Sequence, residues 1–131
     1  MTAIKILLVD DSAVFRRLAK QAIEQELGMS PVDFIERDNG KEALFWVRMN
    51  PPADIILMDW NMPEMNGLEC IREIRAHGNL TPIMMITIDR EKSDIVDVIR
   101  AGANNYLLKP IDAATLCKKI RQALQISQAK N

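Results

Sequence analysis

The sequence contains few of the residue types that build disulfide frameworks or zinc sites. Among 131 residues there are two cysteines, Cys70 and Cys117, and one histidine, His77. The cysteines are not in a CxxC spacing and do not stand beside the histidine, which argues against a zinc site. A disulfide between them remains open, but nothing indicates a secreted chain. His77 falls in the last turn of an expected helix, so a structural role is favoured for it.

The sequence also lacks a long apolar run and an excess of charge of one sign. Its first apolar run, residues 4–9, is too short for a signal peptide, and no run approaches the length that crosses a bilayer. The chain has 17 basic and 18 acidic residues and a formal net charge of −1. Such a balance offers no basic surface to nucleic acid or to an anionic membrane. We therefore expect a cytoplasmic protein with no direct nucleic-acid partner and no membrane insertion.

What is present is a globular composition, 48% apolar and 27% charged, arranged as five strand–helix pairs. Short apolar, often β-branched runs predict strands at Ile4–Val9, Val32–Ile35, Ile55–Met58, Ile83–Ile86 and Tyr106–Leu108. Apolar residues at helical spacing follow each run, and Asn39, Asn66 and Asp112 are expected helix caps. Because crossover connections are right-handed, this alternation predicts an α/β fold: a doubly wound, five-stranded parallel sheet with five helices on both faces.

Acidic, hydroxyl and amino side chains stand at the ends of four of these strands. Asp10 and Asp11 follow the first strand, Asp59 follows the third, Thr87 ends the fourth and Lys109 follows the fifth. Ligands of open α/β sheets bind beyond the carboxyl ends of the strands, so these side chains should converge. Two carboxylates about 5 Å apart repel by roughly 3 kcal/mol at an effective dielectric constant of about 20. Three of them need a cation, and hard oxygen ligands suit Mg²⁺.

Each of these residues alone has a simpler explanation. Asp11 and Ser12 could cap the first helix, so that Asp10-Asp11 would be only a cap. Lys109 could be a solvated lysine, and Thr87 could be an ordinary strand residue. The joint pattern at the ends of four strands is what favours a functional site.

The motifs at this edge resemble those of response-regulator receiver domains, most closely the single-domain chemotaxis type. The resemblance covers nearly the whole chain and rests on Asp10-Asp11, Asp59-Trp60-Asn61-Met62-Pro63, Met65, Gly67, Thr87, Ala101-Gly102-Ala103, Tyr106 and Lys109-Pro110. It implies a flavodoxin-like sheet with strand order 2-1-3-4-5. We accordingly expect a receiver domain over residues 1–125 and a polar tail over residues 126–131.

The resemblance implies a phosphoacceptor of two-component signalling rather than an enzyme in the usual sense. Asp59 would receive a phosphoryl group from the phosphohistidine of a sensor histidine kinase. Asp11, Asp59 and the backbone carbonyl of Asn61 would bind Mg²⁺, and Asp10 would act mainly through water. The same apparatus would position a water that hydrolyses the acyl phosphate, so the domain would dephosphorylate itself.

The resemblance also implies a switch. Lys109 would pair with one phosphoryl oxygen and Thr87 would donate its hydroxyl to another, while Tyr106 turned inward. The surface of the fourth helix, fifth strand and fifth helix would then change for a downstream effector protein, in a monomer or a phosphorylation-dependent dimer. The Lys109–Pro110 bond would be cis. On the residues alone, Tyr106 fits a half-buried strand aromatic with its hydroxyl in water.

Some positions depart from the pattern or modulate it. Asn61, Ile88 and Asp89 occupy positions that tune the rate of hydrolysis in the family. Ile88 is bulky where the family usually has a small residue, and it could restrict access to the acceptor. Trp60 is expected to be exposed near the metal and to serve as a fluorescence reporter.

Three alternatives remain open at this point. An aspartate-nucleophile phosphatase of the dehalogenase type would place a DxD motif after the first strand, whereas Asp10 and Asp11 are adjacent. A receiver cut from a larger transcription regulator would fit the same motifs. A constitutive interaction module would have no reason to keep the acceptor, acids, hydroxyl and lysine together.

Overall fold

The computed structural model describes residues 3–28 and 31–129, with side chains described through residue 124. Within these ranges five strands and five helices alternate along the chain. The strands are β1 (Ile4–Val9), β2 (Val32–Arg37), β3 (Ile55–Met58), β4 (Ile83–Thr87) and β5 (Asn105–Leu108). The helices are α1 (Ala13–Leu27), α2 (Gly40–Met49), α3 (Gly67–Ala76), α4 (Lys92–Ala101) and α5 (Ala113–Ala129).

The five strands form one parallel sheet in the order β2-β1-β3-β4-β5. This confirms the expected flavodoxin-like arrangement. Val9 pairs with Arg37 on one side and with Met58 on the other, and Thr87 pairs with Leu108. The strands therefore end together, and the residues that follow them share one edge of the sheet.

Helices cover both faces of the sheet, as the doubly wound prediction requires. Helices α2, α3 and α4 pack on one face, where the buried side chains include Leu7, Ile56, Met85, Leu44, Ile71 and Val98. Helices α1 and α5 pack on the other, where they include Leu8, Leu57, Ile86, Ile23, Leu116 and Ile120. Because β1, β3 and β4 are buried on both faces, their sequences are almost continuously apolar.

The helix starts follow the capping residues that the sequence indicates. The Asn39 side chain accepts a hydrogen bond from the Glu42 amide, and Asp112 accepts one from the Thr115 amide. Asn66 and Glu69 form a reciprocal capping box at the start of α3. Capping at Asn66 fixes where the chain enters α3 after β3, and so limits the segment that connects the two elements.

Several boundaries differ from those expected. Strand β2 extends to Arg37 because that residue pairs with Val9. The polar residues at its end did not indicate a strand in the sequence. Strand β4 includes Thr87, and β5 begins at Asn105. Helix α5 continues to Ala129, past the expected start of the tail, because residues 125–129 contain no proline or glycine to end it. The last two residues of that tail lie outside the described ranges.

The structure bears on the two cysteines and on membrane-spanning segments. Cys70 and Cys117 are free, and they lie in the two different cores on opposite faces of the sheet. Among the described residues, no helix is both long enough and apolar enough to cross a membrane.

Candidate functional site

Three carboxylates meet at the carboxyl edge of the sheet. One oxygen from each of Asp10, Asp11 and Asp59 lies within 4.8 Å of the others. Asp10 and Asp59 are buried, with 1% and 8% of their surface exposed, whereas Asp11 is exposed. The Asp59 amide donates to the Val9 carbonyl, so the ladder between β1 and β3 continues into the cluster and fixes its spacing.

Local hydrogen bonds orient the buried carboxylates. Asp10 Oδ1 accepts from the Ser12 amide at 2.8 Å, and Asp59 Oδ1 accepts from the Trp60 amide at 2.7 Å. Ser12 itself caps α1 by accepting from the Phe15 amide. Because Ser12 supplies the cap, capping does not account for the acidic pair that precedes it.

Lys109 supplies the positive charge of the cluster. Its Nζ lies 2.7 Å from Asp10 Oδ2 and 3.3 Å from Asp59 Oδ2, and it sits 4.2 Å from the centre of the Phe15 ring. The peptide bond between Lys109 and Pro110 is cis, as expected. The ammonium group thus joins two of the three carboxylates.

Burial and pairing shift the pKa values of this ion pair. Burial raises the pKa of Asp10, and the hydrogen bond from Lys109 only partly opposes that effect. Burial alone would lower the pKa of Lys109, but its hydrogen bond to Asp10 and the charges of Asp10 and Asp59 outweigh it, so the pKa is raised. Lys109 therefore stays charged at neutral pH.

Thr87 and Tyr106 both contact Asp89. Thr87 is fully buried, and its hydroxyl accepts a hydrogen bond from the Asp89 amide at 3.3 Å. The hydroxyl of half-buried Tyr106 donates to the Asp89 carbonyl at 2.6 Å. Burial, followed by the negative charge of Asp89 and Asp94, raises the pKa of Tyr106 to about 12. The loop after β4 therefore connects the end of that strand to the β5 aromatic.

The three remaining expected site residues are Asn61, Ile88 and Asp89. Asn61 is exposed in the segment between β3 and α3. Ile88 follows buried Thr87 and exposes 69% of its surface. Asp89 is half-buried, and its side chain accepts from the Glu91 amide.

Comparison with known proteins agrees with this geometry. The model of the response regulator receiver domain matches residues 6–121. This chain belongs to that family. The receiver domain is 38% identical over 124 residues to the chemotaxis protein CheY1 of Helicobacter pylori strain J99, which covers 92% of this chain and 96% of that protein. It is 37% identical over 122 residues to a CheY homolog of Campylobacter jejuni, covering 92% of each.

Solved structures show the same fold. The chemotaxis response regulator CheY4 of Vibrio cholerae superposes with a TM-score of 0.81 at 30% identity, covering 94% of this chain and 100% of that one. A CheY-like receiver domain protein from Methanospirillum hungatei superposes with a TM-score of 0.87 at 25% identity, covering 99% and 100%. Receiver domains of this kind are signalling domains of two-component and chemotaxis systems.

The donor set of the acidic cluster suits Mg²⁺. Receiver domains generally bind this ion at an acidic cluster, and Asp10, Asp11 and Asp59 offer the carboxylate oxygens that it prefers. Lys109 neutralises one charge of the three, which leaves an anionic site for a divalent cation.

Some contacts of the receiver domain were not foreseen from sequence, and one expectation was wrong. Trp60 was expected to be exposed. It is half-buried and packs against the core on the face that α2, α3 and α4 cover. Phe15 on α1 packs against the core, and its ring also lies against Lys109. The side chain of Arg16 donates to the Asp10 carbonyl. The contact between Phe15 and Lys109 could not be predicted from a local sequence pattern, because it depends on how the strands are ordered.

Replacing Asp11 with asparagine should stabilise the domain in the absence of Mg²⁺, because it removes one of three mutually repelling carboxylates. We expect the urea midpoint of Asp11→Asn to rise by about a few tenths of a molar and Mg²⁺ binding to weaken. Urea unfolding followed by circular dichroism, with and without Mg²⁺, measures both effects. The control is Asp33→Asn, an exposed carboxylate on edge strand β2. An unchanged or lower midpoint for Asp11→Asn would show that the cluster is not strained.

Tyr106 is the only tyrosine in the sequence, so its ionisation can be followed by ultraviolet absorbance. The folded protein should titrate at about 12, whereas the chain unfolded in urea should titrate at about 10. Since folding raises this pKa, the phenol's contribution to stability is complete below about pH 10 and is lost as the pH rises toward the folded value. Tyr106→Phe gives the absorbance baseline. A titration midpoint near 10 in the folded protein would contradict a half-buried, hydrogen-bonded position of the phenol.

Proposed function

We propose that this receiver domain accepts a phosphoryl group on Asp59 from the phosphohistidine of a sensor histidine kinase. The observation that carries the proposal is the meeting of three carboxylates within 4.8 Å, with Lys109 bonded to two of them. A solvated surface has no need to bury two carboxylates beside a third. Phosphoryl transfer does need such a cluster, because the reaction depends on positioning and on charge neutralisation more than on covalent help.

In the transfer step, a carboxylate oxygen of Asp59 attacks the phosphorus of the phosphohistidine. The new bond joins that oxygen to phosphorus, the phosphorus–nitrogen bond breaks, and the imidazole leaves and takes up a proton. The hydrogen bond from the Trp60 amide to Asp59 Oδ1 supports this role, because it fixes the orientation of the carboxylate. Asp59 exposes 8% of its surface, so a donor reaches it from the sheet edge.

The ligands proposed for Mg²⁺ are Asp11, Asp59 and the backbone carbonyl of Asn61, with Asp10 acting mainly through a water molecule. When bound, the ion would supply positive charge that offsets the negative charge of the transferred group. Asp10 is buried and paired with Lys109, which supports its contact with the ion through water and not as a direct ligand.

Lys109 and Thr87 would hold the phosphoryl group once it is attached. The Lys109 ammonium already lies 3.3 Å from Asp59 Oδ2, so it can pair with a phosphoryl oxygen without a large movement. The Thr87 hydroxyl would donate to another oxygen. The hydroxyl oxygen now accepts a hydrogen bond from the Asp89 amide, a bond that does not use the hydroxyl hydrogen.

Loss of the phosphoryl group would occur in the same site. A water attacks phosphorus, the bond to the Asp59 oxygen breaks, and inorganic phosphate and the free carboxylate are released. Asn61 is exposed two residues after Asp59, and the Asp89 amide contacts Thr87, which supports their proposed influence on the rate. The domain would thus assist its own phosphorylation and dephosphorylation without acting as an enzyme on other substrates.

The surface of α4, β5 and α5 would carry the output to an effector protein in the cytoplasm. Asp89 connects this surface to the site, because its backbone contacts both Thr87 and Tyr106. On α4, Val96 and Ile99 expose 39% and 45% of their surface, which supports a contact with a protein partner. Monomeric action and phosphorylation-dependent dimerisation are both compatible with this surface.

Treatment with acetyl phosphate and Mg²⁺ should add one phosphoryl group, about 80 Da, that is labile and resides on Asp59. Intact mass spectrometry measures the adduct, and peptide mapping after reduction of the acyl phosphate locates it. Asp59→Asn should give no adduct, while Asp33→Asn should behave as the unsubstituted protein. Absence of the adduct, or its location on another residue, would refute the proposal.

Ile88→Ala should speed phosphorylation if the exposed isoleucine, which directly follows Thr87 at the end of β4, restricts access to the acceptor. We expect the rate with acetyl phosphate to rise by about two- to tenfold, a barrier change of roughly 0.4–1.4 kcal/mol. Ile99→Ala, which shortens another exposed isoleucine on α4, is the control. Equal rates for Ile88→Ala and the unsubstituted protein would remove the steric explanation.

A further inference from the structure

The segment between β3 and α3 has an unusual conformation. It carries Asp59 and Asn61, the proposed acceptor and the proposed carbonyl ligand. Glu64 has a φ of 68°, a region that few residues other than glycine adopt. The Met65 amide donates to the Pro63 carbonyl at 2.7 Å and closes a tight turn. Such a conformation persists only where neighbouring contacts hold it.

One contact that holds the segment lies next to the acceptor. The Gly67 amide donates to the Trp60 carbonyl at 2.8 Å. A Cβ atom on Gly67 would lie 2.4 Å from the carbonyl oxygen of Asp59, a separation that real Cβ atoms essentially never show. The segment is therefore closed against the backbone of the acceptor.

A second contact comes from helix α2, which carries none of the acidic residues of the cluster. Gly40, the first residue of α2, donates its amide hydrogen to the Met65 carbonyl at 3.1 Å. A Cβ atom at this position would lie 2.4 Å from the same oxygen. Glycine is required here by the close approach, since any side chain would push Met65 away.

Gly40 is itself held from the other side. The Cys70 thiol on α3 donates to the Gly40 carbonyl at 3.3 Å. Cys70 is fully buried, and burial raises the pKa of its thiol to about 12, so the thiol keeps the proton that it donates. Gly40 thus connects α3, the start of α2 and the segment that leads from Asp59.

We propose that Gly40 is a positioning residue for divalent-cation binding. By letting α2 begin against the Met65 carbonyl, it holds the segment in the conformation that presents the Asn61 carbonyl beside the acidic cluster. This inference rests on the proposed function, because it takes Asn61 as a ligand. A role in stability alone would lower only the free energy of unfolding. The positioning role also predicts that the folded variant binds the cation more weakly.

Gly40→Ala tests the inference, with Gly78→Ala as the matched control. At Gly78 an added Cβ meets nothing within 4 Å, but the φ of 81° strains any alanine, so this control destabilises the fold away from the segment. Isothermal titration calorimetry with Mg²⁺ and urea unfolding without Mg²⁺ are both measured. Gly40→Ala should raise the Kd for Mg²⁺ about tenfold, whereas Gly78→Ala should lower the urea midpoint and leave the Kd unchanged.

A second pair of variants serves if Gly40→Ala does not fold. Cys70→Ala removes the thiol that holds the Gly40 carbonyl and should raise the Kd for Mg²⁺ by about threefold. Cys117→Ala removes the other buried thiol, which contacts the Ala22 carbonyl on the opposite face of the sheet, and should not change the Kd.

The outcomes separate this inference from the function on which it rests. If the unsubstituted protein binds Mg²⁺ and folded Gly40→Ala binds it equally well, the positioning role is refuted and the proposed function stands. If Gly40→Ala does not fold, an unchanged Kd in Cys70→Ala refutes the role in the same way. Failure of the unsubstituted protein to bind Mg²⁺ would refute the proposed function itself.

Discussion

The ammonium group of Lys109 allows two buried carboxylates to stand beside each other at the end of a parallel sheet. It lies 2.7 Å from Asp10 and 3.3 Å from Asp59, and the ring of Phe15 covers it on another side. Removing one partner of a buried ion pair costs about 3–5 kcal/mol, because an uncompensated charge is left in a medium of low polarity. The lysine balances only one of three acidic charges. The remaining negative charge is what makes the site suited to a divalent cation.

If Asp59 is phosphorylated as proposed, the loop after β4 would link the added charge at the sheet edge to α4. The backbone of Asp89 contacts the Thr87 hydroxyl and the Tyr106 phenol, and α4 begins shortly after it, at Lys92. Val98 is the buried residue of α4, so little of this helix is anchored in the core. Elements with few buried contacts open at low free-energy cost. A shift of Thr87 toward a phosphoryl group would therefore act on the part of the fold that resists it least.

The sequence predicted the alternation of strands and helices, the helix faces and the acidic cluster because each depends on local patterns, whereas the strand order was implied by the family resemblance. Buried parallel strands such as Ile55–Met58 are continuously apolar, and a residue that follows such a strand must lie at the common edge. The end of β2 was not predictable, since Arg37 is a strand residue only through its pairing with Val9. Likewise, the position of Phe15 against Lys109, and that of Gly40 against Met65, result from packing between elements distant in sequence. The proposed chemical roles of Asn61, Thr87 and Lys109 come from the family resemblance, since no local pattern assigns them.

The central claim is that the acidic cluster holds a divalent cation beside a reactive Asp59. A crystal structure grown with Mn²⁺ and beryllofluoride tests it most directly, because Mn²⁺ shares the oxygen preference of Mg²⁺ and is located by its anomalous scattering. The account predicts an anomalous peak ligated by Asp11, Asp59 and the Asn61 carbonyl, with beryllium bonded to an Asp59 oxygen and a fluoride near Lys109. A cation bound elsewhere, or an unmodified Asp59 in a crystal saturated with both reagents, would contradict it.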